Sequence, residues 1–178
     1  QRVWERVFER VRIADRPVRS ALVLGLGGGG VVKLIQGSHP QAHITAVDND
    51  PVMIWIAREH FGVKRDERTS IVEQDAFRFV DREPGSFDLV VVDLFEDHKV
   101  PGRLFAVKFL KDLHGHVQPH GLLLINTMLD RSRASALAAH ASRAGLSVNW
   151  CRPFPENRVL IGSIAASPIN APDPRSDG

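Results

Sequence analysis

Apolar residues along this chain fall in two alternating patterns, and the alternation predicts the architecture. Short apolar runs of strand length occupy Ala21 to Leu24, His43 to Val47, Ser70 to Glu73, Phe87 to Val92 and Leu122 to Asn126. The most continuous of them, FDLVVV, suits a central strand covered on both faces. Between these runs apolar residues recur at helical spacing. Val31 to Gln36 form one such segment, ending near Gly37 and Pro40. A second opens at Asp50 and Pro51, a capping carboxylate followed by a proline suited to the first helical position. In it Val52, Trp55 and Ile56 are expected to face the core, and Gly62 to end it. A helical turn passes through Phe77 and Val80; Ala106, Phe109, Leu110, Leu113 and Val117 make a further helix face. Ala134, Leu137, Ala138 and Ala141 make the last, closed by Gly145. Ahead of the first strand Val3, Trp4, Val7, Phe8 and Val11 predict an amphipathic leading helix within residues 1–16, broken by Pro17. It is expected to pack on the sheet edge or to roof a site, with Trp4 and Phe8 in the core.

Strand and helix in alternation imply a mostly parallel, doubly wound α/β sheet of Rossmann-like type. The chain ends differently. Leu146 to Cys151 and Arg158 to Ile164 are strand-like runs joined through Pro153 and Pro155 with no room for a helix, so they predict an antiparallel hairpin and a seven-stranded sheet. Residues 167–178, rich in Pro, Asp and Ser, are expected to be a disordered tail following a single domain over 1–166.

Composition changes this picture little. With 178 residues, 43% hydrophobic and 25% charged, the chain is in the range of one globular domain. Its formal charge is +2 and its basic residues are scattered, despite a pI near 9.0, so no nucleic-acid footprint is expected. The lone Cys151, the lack of a secretory signal pattern and the absence of an apolar run near 18 residues predict a soluble, cytoplasmic protein with no membrane partner. The chain opens on Gln1 rather than Met, as a fragment of a longer protein would. His114, His116 and His120 fall at a helix end and in the following turn, away from the strand ends; they are expected to be a surface cluster and not a metal site.

The candidate chemistry gathers where predicted strands end. Gly25, Gly27 and Gly30 satisfy the glycine-rich pattern that lets a backbone turn tightly and approach a nucleotide at a helix N-terminus. Asp48 closes the next strand 18 positions beyond Gly30, near the spacing at which an acidic side chain reaches ribose hydroxyls. Asp75 follows the third strand, and Asp93, Glu96 and Asp97 gather after the fourth. Nicotinamide oxidoreductases share the glycine pattern but continue with parallel units in place of the terminal hairpin.

The hairpin is the feature of the class I S-adenosylmethionine-dependent methyltransferase fold, which the chain resembles. The segments GLGGGG, AVDNDPVMIWIAREHFG, VEQDAFRFV, FDLVVVDLFEDHKVPGRLFAVKFLKDL and VQPHGLLLIN, in order from Val18 to Thr127, narrow the resemblance. They are similar to the spermidine synthase family of polyamine aminopropyltransferases, and most of all to its spermidine-synthase-like branch. The resemblance implies a donor, S-adenosylmethionine or its decarboxylated form, bound by Gly25, Leu26, Gly27 and Gly28, by Asp48 and Asn49 at the ribose, by Asp75 and Ala76 at the adenine, and by Asp93 facing the sulfur. It places Asp93 where that family has its catalytic aspartate, and Glu96 at its second acidic position.

The departures bear on the reaction. Gly28 stands where the family carries an aspartate facing the aminopropyl end of the decarboxylated donor, so the repulsion that would exclude an ordinary donor carboxylate is expected to be missing. No proline follows Glu96-Asp97, and the chain contains no tyrosine, so the family's amine-site tyrosine is absent. No Asn/Asp-Pro-Pro-aromatic motif of nucleic-acid amino-methyltransferases occurs at Asp93. The expectation is a transferase acting on a small-molecule amine, drawn to the three carboxylates, with a homodimer allowed. Small-molecule methyl transfer is the alternative, and a non-catalytic nucleoside-binding module a second.

Overall fold

The computed structural model describes residues 2–63, 66–96, 99–127, 131–154 and 157–164, without the side chains of Arg2 and Arg131. The expected tail and Asp97 lie outside the described residues. Five parallel strands come first: β1 (Ser20–Leu24), β2 (His43–Asp48), β3 (Thr69–Glu73), β4 (Phe87–Val92) and β5 (Val117–Thr127). They are followed by β6 (Ser147–Phe154) and β7 (Asn157–Ser163). The sheet order is β3-β2-β1-β4-β5-β7-β6, with β7 antiparallel to both β5 and β6. The expected seven-stranded sheet and its terminal hairpin are both present.

Side-chain alternation along the strands sorts the core into two layers. Ala21, Val23, Leu89, Val91, Leu122 and Leu124 face α1 (Arg2–Arg10), α2 (Gly30–Ser38) and α3 (Pro51–Glu59). Leu22, Leu24, Val90, Val92, Leu123 and Ile125 face α4 (Ala76–Arg82), α5 (Val107–Gly115) and α6 (Arg131–Arg143). Every one of these strand residues is buried, as a sheet covered on both faces requires. Strand order reverses between β1 and β4, which opens a crevice beyond their carboxyl ends. At the opposite end Asp88 fastens the same two strands, its Oδ2 accepting the Arg19 and Ser20 N–H groups at 2.8 and 2.9 Å.

Four expectations are corrected. Val52 and Trp55 do not face the core: they are 59% and 55% exposed, while Ala57 is fully buried in their stead. Val117 belongs to β5 and not to the preceding helix face, and Gly121 lies inside that strand. The extra length of β5 comes from pairing of Val117 with Phe87 ahead of an irregularity, so a Pro- and Gly-bearing stretch that reads as a turn is part of the ladder. His116 is no surface residue: it is buried between the Phe79 and Phe87 rings, with Nε2 bonded to the Val80 carbonyl at 3.0 Å.

Two glycines test the backbone. Gly25 has φ +88°, and a Cβ there would run into the Asp93 carbonyl oxygen, whereas Gly37 sits within α2 with open space around the Cβ position. Gly37→Ala should raise stability by about 0.5–1 kcal/mol, and Gly25→Ala should lower it by about 2 kcal/mol or more. Urea unfolding midpoints of the two variants check this.

Candidate active site

The crevice is a cleft of about 580 Å³ lined by residues that leave four strand ends. Gly25 and Gly27 come from the turn after β1; Asp48, Asn49, Asp50 and Met53 from the β2–α3 corner; Asp75, Ala76 and Phe77 from the β3–α4 corner. Asp93, Leu94, Phe95, Glu96, Pro101 and Arg103 follow β4. Of the residues expected at the site, Gly25, Gly27, Asp48, Asn49, Asp75, Ala76, Asp93 and Glu96 therefore share one cavity. Leu26 is buried in the core and reaches the site only through its backbone. A Cβ built on Gly28 is directed at the Phe61 ring, 3.5 Å away, and Gly28 is not among the lining residues.

Each carboxylate has a distinct task. Asp48 organises the glycine turn: its Oδ2 accepts the Leu26 N–H at 2.7 Å and the Gly27 N–H at 3.4 Å, and its Oδ1 accepts the Asp50 N–H at 3.0 Å. Asp50 caps α3 through the Val52 and Met53 N–H groups. Asp75 caps α4, accepting the Arg78 N–H at 2.9 Å on Oδ1. Its other oxygen takes the Arg103 guanidinium at 3.0 Å, which also reaches Glu96 at 3.3 Å and lies 4.0 Å over the Phe77 ring. Partial desolvation opposes the charge on Arg103, but Asp75 and Glu96 outweigh it and hold the guanidinium above its usual range. Glu96 itself is fixed by paired backbone hydrogen bonds with Lys99 at 2.8 Å.

Asp93 is held differently. Its Oδ1 accepts from Asn126 Nδ2 at 2.8 Å, and Asn126 Oδ1 in turn accepts from Asn157 Nδ2 at 2.8 Å. Its Oδ2 accepts from the Trp4 indole Nε1 at 2.7 Å. Both partners are neutral, and among the described residues no cation pairs with Asp93. Trp4 is buried, as expected, but also reaches the site, which no pattern local to the leading helix signals; Arg103 and Asn126 likewise escape sequence reading. Metal chemistry gains no support from geometry: among the described residues no group of three or more His, Cys, Asp or Glu side chains could hold an ion. No helix among them is long and apolar enough to cross a membrane.

A doubly wound sheet closed by an antiparallel hairpin, with its cleft over the β1 and β4 ends, is the architecture of the class I S-adenosylmethionine-dependent methyltransferases. The family model described as a methyltransferase domain matches residues 21–121, more than half of the chain, and the chain belongs to that family. Two curated relatives bracket its likeness. The eEF1A lysine and N-terminal methyltransferase homolog of Drosophila melanogaster is 36% identical over 119 residues, 61% of this chain and 17% of that protein. A polyamine aminopropyltransferase of Vibrio vulnificus is 28% identical over 156 residues, 83% of this chain and 51% of that protein. The chain thus spans about half the length of one relative and far less of the other. Among solved structures, human Methyltransferase-like protein 13 in complex with SAH superposes with a TM-score of 0.77 at 19% identity, covering 93% of this chain and 81% of that one. The likeness to polyamine aminopropyltransferases implied by the motifs is present, beside an equally clear likeness to protein methyltransferases.

The role of Asp48 in the turn can be tested without any ligand. Asp48→Ala strands the Leu26 and Asp50 N–H groups and should cost about 1–3 kcal/mol of stability, whereas Asp48→Asn, which keeps one acceptor oxygen, should cost less. Chemical denaturation of the two variants in the absence of nucleosides measures the difference.

Proposed function

We propose that this chain binds an S-adenosyl donor in the cleft and transfers a carbon group from it to an amine. The observation that carries the reading is the charge pattern. Five carboxylates line the cleft against one guanidinium among the described residues, and that guanidinium is spent on Asp75 and Glu96, so Asp93 faces the cavity uncompensated. A cationic acceptor completes such a site, and an acidic one is repelled by it.

The residues present fit the donor. Gly27 lines the cleft with nothing within 4 Å of its Cβ position, so any side chain there would project into the space a ligand needs. Asp48 and Asn49 stand at the β2 end where ribose hydroxyls would be met, with Met53 and Phe77 as apolar surface for a purine and the Asp75–Ala76 corner for its polar edge. Such a donor supplies a carbon bonded to positively charged sulfur, which departs as a neutral thioether without needing a proton. The protein's remaining work is to align the nitrogen and let it shed a proton. Asp93, held from two sides, offers its free lone pairs to the ammonium and is the carboxylate at the β4 end that would take that proton. Glu96 adds a second anchor when it releases Arg103.

The two named relatives differ in acceptor but share its chemistry, since a polyamine and a lysine or N-terminal amine all present nitrogen. A small-molecule amine is the acceptor we favour. Methyl transfer is the second reading, supported by the methyltransferase relative and by the match of residues 21–121 to the methyltransferase domain; Gly28, whose Cβ position is directed at Phe61 and away from the cleft, does not decide between the two.

Calorimetric titration should show binding of S-adenosylmethionine, its thioether product and the decarboxylated donor, and none of nicotinamide dinucleotides. With the thioether bound, polyamines should raise the melting temperature and small carboxylates should not. Asp93→Asn should remove the polyamine shift and leave thioether affinity within about twofold, roughly 0.4 kcal/mol. Stabilisation by carboxylates with inert polyamines would overturn the amine assignment.

A further inference from the structure

The leading helix contributes a part to the reacting end of the cleft. Trp4 is 4% exposed, so its indole N–H is shut off from water and needs a partner inside the protein. That partner is Oδ2 of Asp93, 89 positions along the chain. The indole has little freedom to leave. Two residues on, Arg6 donates to the Pro153 carbonyl at 3.0 Å and lies 4.2 Å over the Phe154 ring, which ties α1 to the end of β6. Phe8, one helical turn beyond Trp4, meets it edge to face at 6.3 Å. On the other side Asn126 is oriented by Asn157, so its amide N–H is the end turned to Asp93. The carboxylate is gripped by two donors, one on each oxygen.

We propose that Trp4 is a positioning residue for amine transfer, holding the Asp93 carboxylate in the orientation that receives the acceptor's ammonium; the inference rests on the amine-transfer reading above. The choice of indole is physically apt. A lysine or arginine in its place would orient the carboxylate but also neutralise it and compete with the substrate cation, whereas the indole donates a single hydrogen bond and carries no charge. Without that bond Oδ2 is free to rotate, and the reacting nitrogen loses its fixed partner. Trp4 lies outside the segment 21–121 matched by the methyltransferase family model, so this part of the site belongs to the chain's own leading helix.

Trp4→Phe tests this, because it keeps an aromatic ring on the Phe8 side while removing the N–H together with the five-membered ring that carries it. The probes are putrescine and a short lysine-containing peptide, each with S-adenosylmethionine and with the decarboxylated donor, and thioether release is followed. The expected result is a fall in kcat of about tenfold or more, with the Kd of the thioether product unchanged within twofold. In an Asp93→Asn background the same substitution should cause no further loss, since its target is gone. Wild-type turnover by Trp4→Phe, a parallel loss of thioether binding, or a multiplicative loss in the double variant would each overturn the proposal. If the unaltered chain releases no thioether with any probe pair, the amine-transfer reading fails, and with it the positioning role of Trp4. The contact is then judged separately by the Trp4 indole N–H resonance in a 15N spectrum, whose shift and exchange protection should change on Asp93→Asn if the bond exists in solution.

Discussion

Strand β1 is hydrogen-bonded along both edges to its last residue, and the site exists because that pairing stops there. The Leu24 carbonyl accepts the Asp93 N–H at 2.8 Å, and the Gly25 N–H donates to the Val47 carbonyl at 2.8 Å, so the ends of β2, β1 and β4 are fixed at one level. Beyond that level the chain must swing away to begin α2 while passing against the Asp93 carbonyl. Only a residue without Cβ and with positive φ makes that passage. The turn it forms leaves backbone N–H groups to be satisfied, and Asp48, delivered by the neighbouring strand, satisfies them. One steric constraint thus sets the glycine, the glycine sets the turn, and the turn fixes both the cleft floor and the carboxylate beside it.

Charge is distributed over this frame unevenly. Asp48 and Asp50 are bonded to backbone N–H groups, and Asp75 and Glu96 share Arg103, whose stacking on Phe77 ties the β4 loop to the β3–α4 corner. The two Arg103 ion pairs are partly exposed, and solvent screening makes their contribution to stability small. Their value is positional, since they hold the β3–α4 corner and the loop after β4 in one arrangement at the cleft.

The sheet was legible because its strands are apolar enough to be read as doubly covered, and its antiparallel closure because too few residues separate the last two runs for a helix. The α3 face was not legible, since Val52 to Ala57 are all apolar and periodicity cannot choose among six inward candidates. The packing of α3 on β2 and β3 leaves Trp55 outside and Ala57 in. His116 was misplaced for a related reason: its burial is created by Phe79 and Phe87, which precede it by some thirty residues and reach it only through folding. Strand-end carboxylates could be found from local pattern, because the fold puts such ends on one side of the sheet. Arg103, Asn126 and Trp4 could not, as each enters from an element whose own pattern is explained by solvation or packing.

The contrast between Asp93 and the other acidic residues is the step that joins fold to chemistry. A carboxylate gripped by an arginine is oriented but neutralised; one left to solvent keeps its charge but not its direction. Among the described residues Asp93 has direction without neutralisation, because both partners found there are uncharged donors and both are immobilised by a further contact, Asn126 by Asn157 and Trp4 by its helix. The two relatives that bracket this chain act on nitrogen by their names, one on a polyamine and the other on lysine and N-terminal groups. On the amine-transfer reading proposed above, an oriented carboxylate at the switch point serves either kind of acceptor, and it demands nothing of the rest of the acceptor. On the same reading, selection between a small amine and a protein amine comes from what surrounds the cleft mouth, while the reacting end stays the same.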